Sequence, residues 1–159
     1  MSGMPPDAEA WHEAGHALAA HMLGGRVREV TLESDRTGFE AHAAVEWRCL
    51  SDSMDARRMA MVALAGPVAE FVFRGEDLLD DPGALFAWRD DWDEAQAQLA
   101  KIHESEEEIE QARRAILVEL RKRFDEEHGY ECLARIADAL DAHETLDEAL
   151  FLEIVEDEL

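Results

Sequence analysis

Apolar positions recur at helical spacing over most of this chain, interrupted by one short interval of strand-like alternation. Trp11, Ala14, Gly15, Leu18 and Met22 fall on one stripe at about 100° per residue. Gly24-Gly25 supplies a strong helix-stop signal after Leu23. Asp7, following Pro5-Pro6, is placed to cap the start of this helix, and Met1–Pro6 reads as disordered. Val30 and Leu32 within Arg26–Glu33, and Ala43, Val45 and Trp47 within Glu40–Trp47, alternate with polar neighbours. That alternation predicts two strands joined by a turn at Asp35–Gly38, forming a small hairpin against the first helix whose exposed edge could pair with an extended peptide. Ser51–Ser53 can cap a second helix over Met54–Phe73. Its Met61, Val62, Leu64, Ala65, Val68, Ala69 and Val72 are apolar nearly all round, the mark of a central buried helix. Gly66-Pro67 inside it predicts a kink.

Beyond a loop rich in Asp, Gly and Pro at Glu76–Gly83, helical patterning resumes as a short piece at Ala84–Trp88. A longer one runs from Asp90 or Asp91 to Glu104. Ser105-Glu106-Glu107-Glu108 forms a capping box for a helix that reaches His128 and is terminated by Gly129. Two amphipathic helices follow, Tyr130–His143 and Leu146–Glu158, the second behind a capping box at Thr145-Leu146-Asp147-Glu148. The pattern as a whole predicts a mainly α fold with a small β-hairpin.

Length and composition leave this picture standing. A chain of 159 residues, 47% apolar, can bury a core as one domain over residues 1–159. Cys49 and Cys132 fit neither a disulfide framework nor a C-x-x-C metal pair and read as reduced intracellular thiols. Met1–Asp7 carries no signal-peptide pattern, and the longest apolar runs, such as Met59–Val68, are too short to span a bilayer. A soluble, cytoplasmic protein without membrane contacts is expected.

Charge adds an asymmetry. Fifteen basic against thirty-eight acidic residues give a net charge of −23, which repels a phosphate backbone and argues against nucleic-acid partners. Met1–Gly75 holds eleven acidic and seven basic residues, whereas Glu76–Leu159 holds twenty-seven and eight. The C-terminal half is therefore an acidic helical surface of net −19, read mainly as a solubilising one.

Candidate chemistry sits on the first helix. His12-Glu13-Ala14-Gly15-His16 has the form H-E-x-x-H. Residues four apart lie one turn above each other on one helix face. His12 and His16 can therefore aim two imidazoles at one Zn²⁺, with Glu13 beside them as the base that takes a proton from metal-bound water. Both histidines, with Ala19 and Leu23, flank the apolar stripe, while His21 falls on the far side of the helix. Gly15 is costly in a helix interior by about 1 kcal/mol relative to Ala, which points to close packing there. The competing reading is a solvated face carrying two ordinary histidines.

A zinc site needs a third protein ligand. Two acids are placed for it, and composition does not choose between them. Glu70 is an acid among apolar residues, alternatively a buried hydrogen-bond partner. Asp91 opens a helix beside Trp92 and is alternatively its N-cap.

Three blocks in order carry a family resemblance: His12–Ala17 followed by the strand Val27–Leu32, then Ala63-Leu64-Ala65-Gly66-Pro67-Val68-Ala69-Glu70 with Gly75, then Asp90-Asp91-Trp92-Asp93-Glu94-Ala95. Over roughly residues 8–103 the chain resembles the peptidase domain of the FtsH-type ATP-dependent zinc proteases. The resemblance implies that Asp91, in an Asp-Leu-x-x-Ala pattern with Trp for Leu, is the third zinc ligand. It also implies that Glu70 lies behind a ligand histidine and that residues 8–103 are a zinc-peptidase-like core, with 105–159 an acidic helical addition. The chain departs from the family in several ways. Gly66-Pro67 replaces the usual Gly-Arg. Lys101 and Lys122 follow Ala100 and Arg121, so no G-K-[ST] phosphate loop exists and no ATP is expected. The family's hexameric ring is opposed by the acidic half, which leaves oligomerisation open.

The expected function is a stand-alone zinc metallopeptidase acting on short or unfolded peptides, neutral or basic ones being favoured by the acidic surface. In it Glu13 is the catalytic base and His12, His16 and Asp91 hold the metal. The alternatives are a non-catalytic, metal-stabilised binding module on the same scaffold, or an unrelated helical domain.

Overall fold

The computed structural model describes residues 6–32, 42–46, 56–75 and 89–158. The chain is mainly helical, in the order α1 (Pro6–Met22), β1 (Arg26–Thr31), β2 (His42–Glu46), α2 (Ala56–Arg74), α3 (Arg89–Leu99), α4 (Glu106–Asp125), α5 (Glu127–His143), β3 (Thr145–Asp147) and α6 (Glu148–Glu158). The expected turn at Asp35–Gly38, the caps at Ser51–Ser53, the loop Glu76–Gly83, the piece Ala84–Trp88, Cys49 and the Met1–Pro5 tail all lie outside the described residues. Among the described residues, no helix is long and apolar enough to cross a membrane.

The first helix already includes Asp7 instead of starting after it. Its end follows the sequence signal closely. The Gly25 N–H donates to the Ala20 carbonyl at 2.8 Å and the Gly24 N–H to that of His21 at 3.1 Å, with Gly24 at φ +96°. This is a Schellman motif, in which glycine supplies the left-handed residue. Trp11, Ala14, Gly15 and Leu18 are buried as expected, but Met22 at the end of the stripe is 41% exposed.

α2 is the centre of the core. Its residues from Ala60 to Val72 are buried apart from half-buried Val62, and the helix runs on through Pro67 as one element. The first helix packs against it so closely that a Cβ on Gly15 would lie 2.4 Å from the Ala65 carbonyl oxygen and 2.6 Å from the Ala69 Cβ. No side chain fits there, which is why a helix-weakening glycine occupies the position. Aromatic contacts of Trp11 with Phe73 and Tyr130, at 5.3 and 5.2 Å between ring centroids, tie α1 to α2 and α5.

β1 pairs antiparallel with β2, with a register shift between Val27 and Glu29. The hairpin is extended by β3 into a sheet of order β2-β1-β3. β3 was expected to be the cap of a helix starting at Leu146. Instead Leu146 is fully buried opposite Val30, and Thr145 Oγ1 lies 2.8 Å from Thr31 Oγ1. Burying Leu146 in the sheet outweighs starting the helix there. The cap moves to Asp147, whose Oδ1 accepts from the Leu150 N–H at 2.9 Å. Glu148 of α6 accepts two hydrogen bonds from Arg26 of β1, the Nη2 one at 2.7 Å. As a result β1 is the middle strand, and of the hairpin only β2 is an outer strand.

The expected long helix ending at Gly129 also differs. Ser105 caps α4 through the Glu108 N–H at 3.1 Å, as the capping box requires, but α4 ends at Asp125 and Glu126 is extended. Gly129 lies inside α5. Its role is close approach: a Cβ there would sit 2.0 Å from the Arg123 carbonyl oxygen across the α4–α5 corner. α3 ends at Leu99 in place of Glu104. The acidic C-terminal helices share one contiguous core with α1 and α2, to which they contribute Ile116, Leu120, Phe124, Leu133, Ile136 and Leu140.

Candidate metal centre

The site forms where α1, α2 and the first turn of α3 meet. Local helix geometry places His12, Glu13 and His16 within one turn, with one ligand atom from each inside 4.8 Å of the others. Packing supplies the rest. His12 Nε2 lies 2.8 Å from Asp91 Oδ2, His16 Nε2 lies 3.3 Å from the same oxygen, and the two Nε2 atoms are 3.2 Å apart. Of the two acids the sequence left open, Asp91 joins the histidines at this point and Glu70 lies behind them. Asp91 is the third residue of α3, so its alternative reading as the residue ahead of the helix does not hold.

Both imidazoles are fixed from the other side. Nδ1 of His16 donates to the Val62 carbonyl at 2.7 Å, and Nδ1 of His12 donates to Glu70 Oε1 at 3.1 Å. A carbonyl and a carboxylate can only accept, so each Nδ1 carries the hydrogen and each neutral ring presents its Nε2 lone pair to the centre. Glu70 is fully buried and its Oε2 lies 3.3 Å from Arg74 Nη2, one helical turn on. His12 is 8% exposed, Glu13 5%, and the Asp91 side chain 25%, so the cluster is buried between α1 and α2 and its most exposed member is Asp91.

Two nitrogen lone pairs and a carboxylate oxygen thus converge within 2.8–3.3 Å. Such an arrangement repels itself unless a positive charge occupies its middle. Tetrahedral zinc with bonds of about 2.0–2.1 Å has ligand edges of about 3.3–3.4 Å, close to the separations found. Room for the ion is provided by Gly66: a Cβ there would lie 2.4 Å from His16 Nε2 and 2.9 Å from His12 Nε2. The donor set, the tautomers and the missing side chain all fit a divalent metal.

In a metal-free site, protons take the cation's place. Burial disfavours a charged His12, but its hydrogen bonds to Asp91 and Glu70 and the charges of Asp91 and Glu13 outweigh this and push its pKa up to about 10. His16 is raised against the same burial by its contact with Asp91. Burial also opposes the charged form of Asp91, yet the two imidazoles hold its carboxyl well below the usual carboxylate range. The sign follows from linkage. A raised histidine stabilises the fold fully below its unfolded value of 6.5, and that contribution is lost as pH rises through about 10. Denaturant titrations in chelator should therefore show stability falling between these limits, a slope that His12→Ala reduces and that the contact of His16 with Asp91 keeps from vanishing. Metal affinity should run the other way, gaining about tenfold per pH unit for each proton displaced. A pH-independent zinc affinity would contradict this site.

Gly66 and the Val62 carbonyl were not recognised as site components from sequence. Gly66 does carry a signal, glycine in a helix interior, which in sequence reads as part of a kink and as one position of the second family block, not as a position beside the metal. A backbone carbonyl leaves no sequence signal. The Arg113 guanidinium, 4.3 Å above the Trp92 ring and 2.6 Å from Gln96 Oε1, anchors the first turn of α3 on α4 and so steadies Asp91 from the acidic half of the chain.

Residues 8–73 match a family described as Peptidase M50B-like. This part of the chain is related to metallopeptidases. The match spans His12, Glu13, His16, Gly66 and Glu70, stops short of Asp91, and does not single out the FtsH type. No curated protein matches the chain.

Proposed function

We propose that this protein is a zinc-dependent endopeptidase that hydrolyses peptide bonds in short or unfolded polypeptides. The observation that carries the reading is the convergence of His12 Nε2, His16 Nε2 and Asp91 Oδ2, with both Nδ1 atoms tied up as donors. The FtsH-like order of the three sequence blocks supports the same ligand set. A zinc ion held by these three residues supplies Lewis acidity toward the peptide carbonyl and the attacking water.

Glu13 performs the proton chemistry. It follows His12 on the helix and lies inside the same cluster, so its carboxylate can take the proton that water loses on attacking the carbonyl carbon. The same proton then passes to the nitrogen as the C–N bond breaks, leaving a carboxylic acid and an amine. Glu70 and the Val62 carbonyl hold the two rings in the tautomer that faces the centre, and Arg74 balances the Glu70 charge. The burial of His12 and Glu13 keeps bulk water from competing for these groups.

Metal stoichiometry and affinity in site variants test this reading. Protein purified without chelator should carry about one zinc per chain, lost in His12→Ala and His16→Ala. Asp91→Ala should cost more affinity than Glu70→Ala, for which about 10–100-fold is expected because Glu70 acts through His12. Equal losses in the two variants, or retention of zinc in Asp91→Ala, would remove Asp91 from the ligand set.

A further inference from the structure

The third residue of the candidate metal centre stands on a helical turn with little apolar support of its own. The first turn of α3 reads Arg89-Asp90-Asp91-Trp92, and Trp92 is its single apolar side chain. Arg89 and Asp90 are exposed and Asp91 and Trp92 half-buried, while the buried residues of the helix, Ala95, Gln98 and Leu99, all come later. The Trp92 ring packs against the core, and the Arg113 guanidinium of α4 lies over it, 4.3 Å from its centroid. Nη1 of the same guanidinium donates to Gln96 Oε1 at 2.6 Å, and Gln96 Nε2 donates to Glu106 Oε2 at 3.3 Å. Burial pulls the pKa of Arg113 down, whereas Glu110 and Glu106 favour its charged form.

These contacts grip one face of α3, because Trp92 and Gln96 are four residues apart. Asp91 lies about 100° round the helix from Trp92, on the face turned to the histidines, with Oδ2 2.8 and 3.3 Å from their Nε2 atoms. A ligand group must be held within about 0.5 Å of its productive position. Helix geometry alone places His12 and His16 relative to each other. Asp91 has no such local constraint, since it stands on another helix 79 positions away. Any slide or tilt of the first turn of α3 carries its carboxylate with it. What fixes that turn therefore fixes the third corner of the site.

We propose that Arg113 is a positioning residue for the third metal ligand: through the Trp92 ring and Gln96 it sets where Asp91 meets the two imidazoles. Metal affinity is then governed from the acidic C-terminal half, which serves for more than solubility. The inference rests on the reading of Asp91 as a ligand. The charge of Arg113 by itself acts in the opposite sense, because a positive group near a cation site weakens binding of the cation. By field alone its removal would tighten zinc, whereas loss of positioning loosens it. The sign of the change separates the two effects.

The test measures the zinc affinity of the full-length protein by competition with a chromophoric chelator at fixed pH. Beside it, the visible spectrum of the Co²⁺-loaded protein reports the geometry of the ligands. Arg113→Met keeps the apolar stem and removes the charge and the hydrogen bond. It should weaken zinc about tenfold, the lower end of the range for groups acting behind a ligand, and change the Co²⁺ spectrum. A purely structural role would lower the metal-free denaturation midpoint but leave the affinity and spectrum of the folded protein unmoved. Leucine, which the family resemblance has at position 92, offers no π face to a cation. In a Trp92→Leu background the loss caused by Arg113→Met should therefore shrink to about twofold, the non-additivity of residues in contact. In an Asp91→Ala background Arg113→Met should change nothing. Wild-type affinity and spectrum in Arg113→Met, tighter zinc binding, or an undiminished loss in either background overturns the positioning role. Zinc held by Asp91→Ala at wild-type affinity overturns the ligand set itself, and the proposed chemistry with it. Zinc lost in Asp91→Ala beside unchanged binding in Arg113→Met leaves that chemistry standing and sinks the role of Arg113 alone.

Discussion

Glu13→Gln should retain about one zinc per chain and the wild-type fold, yet cleave an unstructured polypeptide about 10²–10⁴-fold more slowly. Glutamine has the volume and shape of glutamate, so the buried position beside His12 remains filled. It is not a ligand in the proposed set, so metal affinity has no reason to fall. An amide cannot accept the proton that attacking water must lose, and this is the only function the substitution removes. The assay is cleavage of a reduced, denatured polypeptide at matched zinc loading. Equal cleavage by both proteins would mean another base or a contaminating protease. If neither protein cleaved any of a broad panel of unfolded substrates, the metal-stabilised binding module would become the better account of the site.

Gly66→Ala is expected to remove metal binding by more than the ~100-fold that marks the upper end for groups acting behind a ligand. The added Cβ would sit 2.4 Å from His16 Nε2 and 2.9 Å from His12 Nε2, in the space where the two lone pairs converge. The atoms it meets are ends of side chains, which can swing aside. Alanine is also favoured over glycine in a helix interior by about 1 kcal/mol. The helix should still form, with the metal-free midpoint lowered because the displaced rings give up their bonds to Glu70, Val62 and Asp91, while zinc content and zinc-dependent stabilisation disappear together. Gly15 makes a useful contrast, because a Cβ there meets the backbone carbonyl of Ala65, which cannot yield without parting the two helices. Zinc bound by Gly66→Ala at wild-type affinity would show that the imidazoles do not meet beneath the α2 backbone, and the site would have to be redrawn.

Much of this architecture is written in local pattern. The i, i+4 histidines, the apolar stripe through Trp11 and Leu18, the all-round apolar second helix and the Ser105 cap depend on neighbours within a few residues. The structure reproduces each of them. The glycine at position 15 even announced close packing, although not its partner. Where local rules failed, a longer-range contact had overridden them. Gly129 looks like a helix terminator but serves the approach of the Arg123 carbonyl, and Thr145–Asp147 looks like a cap but joins the sheet because Leu146 can be buried against Val30.

By itself, then, the sequence determined a mainly helical fold with a small sheet, and a helix face bearing two imidazoles and a carboxylate. Helical periodicity makes both nearly independent of the rest of the chain. Which acid completes the cluster was decided only in three dimensions. Asp91 is 79 positions from His12 and Glu70 is 58, and neither separation constrains where the carboxylates lie. The packing of α2 and α3 on α1 places one acid at the open Nε2 atoms and the other behind Nδ1. It also brings the bare backbone of Gly66 close to both Nε2 atoms. These outcomes depend on how side chains interlock across elements, and the spacing of residues along the chain carries no record of that.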